Sequence, residues 1–221
     1  MRLTAPAVAL AIVATVVSCT GVWSSPTGLN NIPTADYTPE HALVLQTYDF
    51  MQSGERTGIY LGVKYGLGHG IEVGVDKRLT PTPDGPTQLQ AKKTWDLVGD
   101  STRLCVGVSN VTDNPSDHPR HPYAVVTQKL SSNWRGHAGY APERDNREWF
   151  VGTDYTLPCG TVLRGDAVHS TTQSATVYGL GALVPTRFGA VEGWVSRLSD
   201  GATGGSDATV YTLKLDWAVG H

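Results

Sequence analysis

Acidic and imidazole side chains gather in three stretches of this sequence. Asp113, Asp117, His118 and His121 fall in the first, Glu143, Asp145 and Glu148 in the second, and His169 and Ser170 are adjacent in the third. An Asp/His pair can activate water as a general base. Asp117, His118 and His121 also offer carboxylate and imidazole donors of the kind that hold a divalent metal. Both patterns are common in polar loops, and Pro119 and Pro122 make the stretch around His118 extended and solvated. No GxSxG or phosphate-cradling glycine loop accompanies them. The expectation is therefore a protein without a catalytic site, a metal site or a cofactor. Asn110-Val111-Thr112 has the form of a glycosylation acceptor and is read as chance.

The chain has 221 residues, 17% of them charged, with a net charge of -3. The length allows one large or two small domains, and the charge excludes a basic footprint for nucleic acid. Residues 1–19 carry one charge, Arg2, then an apolar run from Ala5 to Val17. That run is shorter than the ~20 residues a membrane-spanning helix needs, and its charged start and small-residue end describe an export signal. Val16-Val17-Ser18-Cys19 also has the form of a lipoprotein cleavage box. Two readings stay open: Cys19 becomes a lipidated first residue, or an ordinary signal is cut later and Cys19 is lost. Residues 20–41 are then an N-terminal periplasmic segment, and 42–219 the folded unit. Cys105 and Cys159 are allowed a disulfide by the exported compartment, but two free thiols are expected.

Beyond residue 20 no apolar spacing of three and four residues is sustained. Twelve strand-like runs are bounded by Gly, Pro, Asn, Asp and Ser: 42–51, 57–67, 70–79, 88–98, 102–112, 123–131, 134–141, 149–157, 161–169, 175–185, 190–198 and 208–219. Their links alternate strictly between short and long. Gly68-His69, Gly99–Ser101, Ser132-Asn133, Pro158–Gly160 and Thr186–Gly189 are the short ones. Successive antiparallel strands put alternate links at opposite ends, so one end carries tight turns and the other long loops. Outer-membrane barrels follow that rule; a soluble sandwich has no reason to.

Alternation within strands assigns faces. Ile59, Leu61, Val63, Tyr65 and Leu67 share one side of the second strand; Ile71, Val73 and Val75 oppose Glu72 and Asp76 on the third. Lys64, Lys92, Arg103, Arg135, Arg164 and Lys214 share the opposite side with Glu72, Asp76, Asp96, Asp154, Asp166 and Asp216. In a membrane barrel these charges face the lumen, together with His137, as a network of paired charges. Because neither sign dominates, a narrow or plugged lumen is expected. Tyr65, Trp95, Tyr123, Trp134, Tyr140, Trp149, Tyr155 and Trp217 sit toward strand ends, where amphipathic rings meet headgroups. The first, sixth, tenth and eleventh strands are ambiguous. The fourth is awkward, because Lys93 shares a side with Leu89, Ala91 and Trp95. A lipid-facing Lys at mid-depth costs ~2–4 kcal/mol, so either a bulge shifts that register or the barrel reading fails locally.

The segment Thr27-Gly28-Leu29-Asn30-Asn31-Ile32-Pro33-Thr34-Ala35-Asp36 and the hairpin Tyr65–Val75 resemble YjbH-like bacterial barrel proteins, with Ala91-Lys92 and Val106–Ser109 continuing the likeness over most of 27–219. The resemblance implies an outer-membrane barrel linked to exopolysaccharide production, with no defined reaction. The sequence ends Trp217–His221, without the terminal aromatic that many such barrels present to the assembly machinery.

Together these features lead to an all-β chain. We expect a single antiparallel up-and-down transmembrane β-barrel of about twelve strands in a bacterial outer membrane. Its partners would be the lipid bilayer, the barrel assembly machinery and envelope polysaccharide, and its role structural or that of a narrow conduit. An alternative, favoured by Lys93 and the C-terminus, is a soluble exported barrel, lipid-anchored or not, that binds an apolar ligand. A third is a surface hydrolase using the acidic and His loops.

Overall fold

The computed structural model describes residues 28–52, 55–80, 87–111, 120–142, 147–171, 174–200 and 209–219. The export signal, Cys19, Asp113, Asp117, His118, Glu143 and Asp145 lie outside the described residues.

Twelve strands close into one antiparallel barrel. They are β1 (Leu43–Gln52), β2 (Glu55–Gly68), β3 (Ile71–Thr80), β4 (Thr87–Val98), β5 (Thr102–Val111), β6 (His121–Lys129), β7 (Trp134–Pro142), β8 (Arg147–Thr156), β9 (Val162–Ser170), β10 (Ala175–Thr186), β11 (Gly189–Asp200) and β12 (Thr209–Val219). Each strand pairs with its neighbours in sequence, and β1 pairs with β12, Leu43 opposite Val219. Closure leaves no strand edge unpaired. The tight links all fall at the end where β1 begins and β12 finishes. The sharpest is His69-Gly70, with φ of 52° and 74°. Left-handed backbone at both central positions matches the twist of the flanking strands, the geometry of a type I′ hairpin.

The two faces have opposite chemistry. Exposed Leu61, Leu89, Val106, Val151, Leu163, Leu180, Val195 and Leu213 form the outer surface. Lys64, Glu72, Lys92, Asp154, Arg164, Glu192 and Asp216 are buried on the inner one. The ambiguous sixth strand resolves with Tyr123, Val125 and Thr127 inside. Tyr123, expected at the membrane interface, is therefore a lumen residue. Its reason is local: Tyr123 registers opposite Gly107, whose missing side chain leaves room for the ring. Phe150 lies across Gly139 and Trp194 across Gly181 in the same way.

β4 needs no shift of register at Lys93. Its irregularities fall between Leu89 and Ala91 and between Asp96 and Val98. Lys93 points outward opposite Ile71, the first residue of β3, so it lies at the short-turn rim and not at mid-depth. Its ammonium donates to the His69 carbonyl and sits 5.6 Å over the Trp95 ring. A long apolar stem that carries its charge to the rim avoids the mid-depth cost.

The largest departure from expectation concerns the chain before β1. Residues 28–41, the described part of the expected N-terminal periplasmic segment 20–41, run back through the lumen. Leu29, Ile32 and Ala35 are buried there with Cys105, Tyr123, Val125, Phe150 and Trp194. A twelve-stranded barrel is wider than its own side chains fill. The N-terminal segment supplies the missing volume, and its three apolar residues find inward partners. Cys105 is a buried free thiol and Cys159 an exposed one.

Candidate functional site

The lumen is the site, and the N-terminal segment divides it. The segment leaves the wall where Glu40 bridges Gly66, with the His41 amide donating to the Gly66 carbonyl at 2.9 Å and the Gly66 amide to the Ala42 carbonyl at 3.1 Å. A Cβ on Gly66 would collide with the backbone of Thr38 and Pro39. Glycine is required there by the close approach of two backbones. From this point the segment climbs along the wall to a tight turn at Asn30-Asn31, closed by the Leu29 amide on the Ile32 carbonyl at 3.0 Å.

Polar contacts with successive strands hold it. Thr38 donates through its amide and hydroxyl to Glu72 Oε2, at 2.7 and 2.9 Å. The Ala35 amide donates to Thr127 Oγ1 at 2.9 Å. Lys92 Nζ donates to the Thr34 carbonyl at 3.3 Å. Asn31 donates twice to Asp166, at 2.8 and 2.7 Å, and Asn30 donates to Ser196 Oγ at 2.7 Å. Asp36 accepts from Arg135 at 2.8 Å, with Arg103 3.7 Å away.

The wall groups also bind one another. Glu192 accepts from Arg164 at 2.8 Å, Lys214 at 3.0 Å and the Trp194 indole at 3.2 Å. Lys214 lies 3.3 Å from Asp216, which accepts from Gln46 at 2.7 Å. Asp154 accepts a two-pronged contact from Arg135 at 2.9 and 2.6 Å and stands 3.1 Å from His137 Nε2. Asp76 accepts from Gln90 at 2.6 Å, and Lys64 is buried on the same inner wall. Burying charges is costly unless each is paired and hydrogen-bonded; the Glu192 and Asp154 clusters largely meet that condition, whereas Asp76 Oδ1 and Arg164 Nε have no hydrogen-bond partner.

Thr127, His137 and Asp154 form a hydroxyl–imidazole–carboxylate chain, with Thr127 Oγ1 2.9 Å from His137 Nδ1. Composition gave no hint of Thr127; only the register of β6 and β7, Thr127 opposite His137, brings the three together. The N-terminal segment covers the hydroxyl through the Ala35 amide. Of the residues weighed for surface catalysis, the described ones fall into two places: His121, Glu148 and Ser170 at the long-loop end of the lumen, with Glu148 opposite Ser170 in the ladder, and His169 outside. His169 points outward and contacts Thr176 at 3.0 Å, whereas Ser170 is buried inside. His121 stands 3.5 Å from Glu148 at the long-loop end. Among the described residues no group of three His, Cys, Asp or Glu could hold a metal ion.

Two cavities flank the segment. One of about 540 Å³ opens toward the long loops and is lined by Asn30, Tyr48, Lys64, His121, Glu148 and Lys214, among others. One of about 720 Å³ opens at the short-turn end, lined by Asp36, Tyr37, Glu40, Trp95, Asp96 and Arg103, among others. On the outer face Tyr65, Trp95, Trp134, Tyr155 and Trp217 lie toward the short-turn end. Tyr140 and Trp149 pair at the other end, ring centroids 4.3 Å apart. Tyr178, passed over in the sequence, is exposed on the outer face near the long loops.

No protein-family model matches the chain, and no curated protein matches it in sequence. Solved structures do match. The KdgM porin superposes with a TM-score of 0.59 at 12% identity, over 80% of this chain and 99% of its own. The NanC porin gives 0.57 at 12%, over 78% and 98%. An outer membrane channel from Pseudomonas putida F1 gives 0.54 at 13%, over 82% and 97%. The fold shared with these structures is the closed antiparallel twelve-stranded barrel. At these identities the likeness extends to architecture and not to site residues, and the N-terminal segment within the lumen has to be read on its own geometry.

Proposed function

We propose that this protein is a narrow outer-membrane channel for polar solutes, gated by its own N-terminal segment. The observation that carries the reading is the inverted polarity of the barrel, with paired charges inside and Leu, Val and aromatic side chains outside. Water-facing charge and lipid-facing hydrocarbon are what a bilayer imposes on a closed barrel. The fold shared with the porin structures supports the outer-membrane location, as does the export signal read in residues 1–19. One of the KdgM structures is of a complex with disordered oligogalacturonate. That precedent, with the YjbH-like resemblance, supports a saccharide of envelope or exopolysaccharide origin as the solute.

The test is reconstitution. The detergent-extracted protein should migrate faster on SDS gels before boiling than after it, because a closed barrel has no edge from which to unravel. In planar bilayers it should give small, intermittent conductance steps, and a variant lacking residues 28–38 larger and steadier ones. A chain that stays soluble without detergent and shows no shift on boiling would overturn the reading. A second, purely structural role is favoured by the packing of Leu29, Ile32 and Ala35 against lumen residues. A folded barrel that never conducts, with or without residues 28–38, would select it.

A further inference from the structure

The carboxylate of Asp36 occupies a place built mainly by the wall. Arg135 is fixed by Asp154, which takes its Nε and one terminal nitrogen at 2.9 and 2.6 Å. Arg103 is fixed by Asp96, which accepts from its Nε at 2.8 Å. Arg135 thus spends Nε and Nη2 on a wall carboxylate and hydrogen-bonds one oxygen of Asp36 through Nη1 at 2.8 Å, while Arg103, held through Nε, brings its Nη1 to 3.7 Å from the same oxygen as a longer ion pair. Removal of Asp36 would leave both forks held where they are. Planar guanidinium forks recognise carboxylates by geometry as well as by charge.

Asp36 itself belongs to no strand. The barrel ladder closes from β1 to β12 without it, so Asp36 can leave the wall without breaking that ladder, the bridge of Glu40 to Gly66 staying in place as the anchor. The seat is reachable on the side of Asp36 and Arg103, Arg135 lying outside the lining of that mouth. Asp36, Arg103 and Asp96 line the cavity of about 720 Å³ at the short-turn mouth, and the Tyr37 ring lies 5.9 Å beneath the Arg103 guanidinium there. That volume falls in the range of sites for small ligands. Arg103 is half-buried and faces this mouth, so an arriving anion meets it first.

We propose that Arg103 and Arg135 form a carboxylate-binding subsite that Asp36 fills as an internal stand-in. A carboxylate-bearing solute of monosaccharide size competes with Asp36 for this place, and by taking it releases the N-terminal segment from the wall. The proposal rests on the channel reading only for what release accomplishes; the binding event stands apart from it. Opposing the release are the apolar contacts of Leu29 and Ile32 and the bonds to Glu72 and Asp166, so displacement at Asp36 shifts the segment's equilibrium and does not expel it outright.

The experiment measures binding and conductance separately on the full chain folded in detergent. The probe is D-glucuronate, with D-glucose as the neutral control of the same ring. Calorimetry should show Asp36→Asn binding glucuronate at least about tenfold more tightly than the unmodified protein, because a charged hydrogen-bonded competitor has been removed. Asp36→Asn with Arg103→Gln should lose that gain, and glucose should bind to none of them. In bilayers, glucuronate should raise the open fraction of the unmodified protein, and Asp36→Asn should raise it without ligand. The gel shift on boiling verifies that each variant is folded. Equal glucuronate affinity in the unmodified protein and Asp36→Asn, or equal affinity for glucose, overturns the subsite whatever the conductance. The expected binding pattern without conductance in any variant keeps the subsite and removes the channel.

Discussion

Glu192 shows what a single buried residue does in this lumen. It accepts from Arg164, Lys214 and Trp194 at once while 1% exposed. Replacing it with Leu would leave two cations beside a group that can accept nothing. Lys214 keeps Asp216, so the cost belongs at the low end for a broken buried pair, about 3 kcal/mol. Urea unfolding of the refolded barrel in lipid vesicles should show that loss; a change under about 1 kcal/mol would mean that lumen water screens the cluster. Inward charge at Glu192 itself escaped the sequence reading because β11 alternates poorly. Gly189, Ala190 and Val191 blur its apolar side, and the face of Glu192 becomes visible only through its pairing with Lys214.

At the scale of elements, the crossing of the N-terminal segment over β2 depends on Gly66. A side chain there meets the carbonyls of Thr38 and Pro39, which the backbone must move to avoid. Gly66→Val should lift residues 28–41 off the wall while leaving the barrel folded, since Gly66 lies near the end of β2 and at a register shift. The expected readout is a normal gel shift on boiling with conductance steps at least severalfold larger. Unchanged conductance would place the seal elsewhere. The strands themselves were legible in the sequence because turn residues punctuate them and period-two alternation persists through most. Lys93 was legible only as a conflict. Its resolution needed the length of β3, which places Ile71, and hence Lys93, at the rim.

For the whole molecule, the outer surface carries the claim of a bilayer. Val151 lies in the middle of β8 and points outward, 57% exposed. Val151→Arg should destabilise the vesicle-embedded barrel by ~2–4 kcal/mol if hydrocarbon surrounds that level. The same substitution measured in detergent alone should cost less, because micelles deform around a charge. No difference between the two media would argue against a lipid-facing position at Val151.

By itself the sequence determined the strand number, the closure order and, in most strands, which residues share a face. Those follow from local rules: turn residues mark link lengths, and a side-chain period of two sorts charge from hydrocarbon. Tertiary structure alone decided what fills the barrel. Residues 28–41 carry no periodicity that distinguishes a free segment from a buried one, and Leu29, Ile32 and Asp36 gain partners only after closure brings β5, β6, β7, β8 and β11 around them. Tyr123 moved inside for the same reason, since the space over Gly107 exists only once β5 and β6 are in register. Contacts between residues far apart in the chain are set by the geometry of the closed sheet, and no local pattern encodes them.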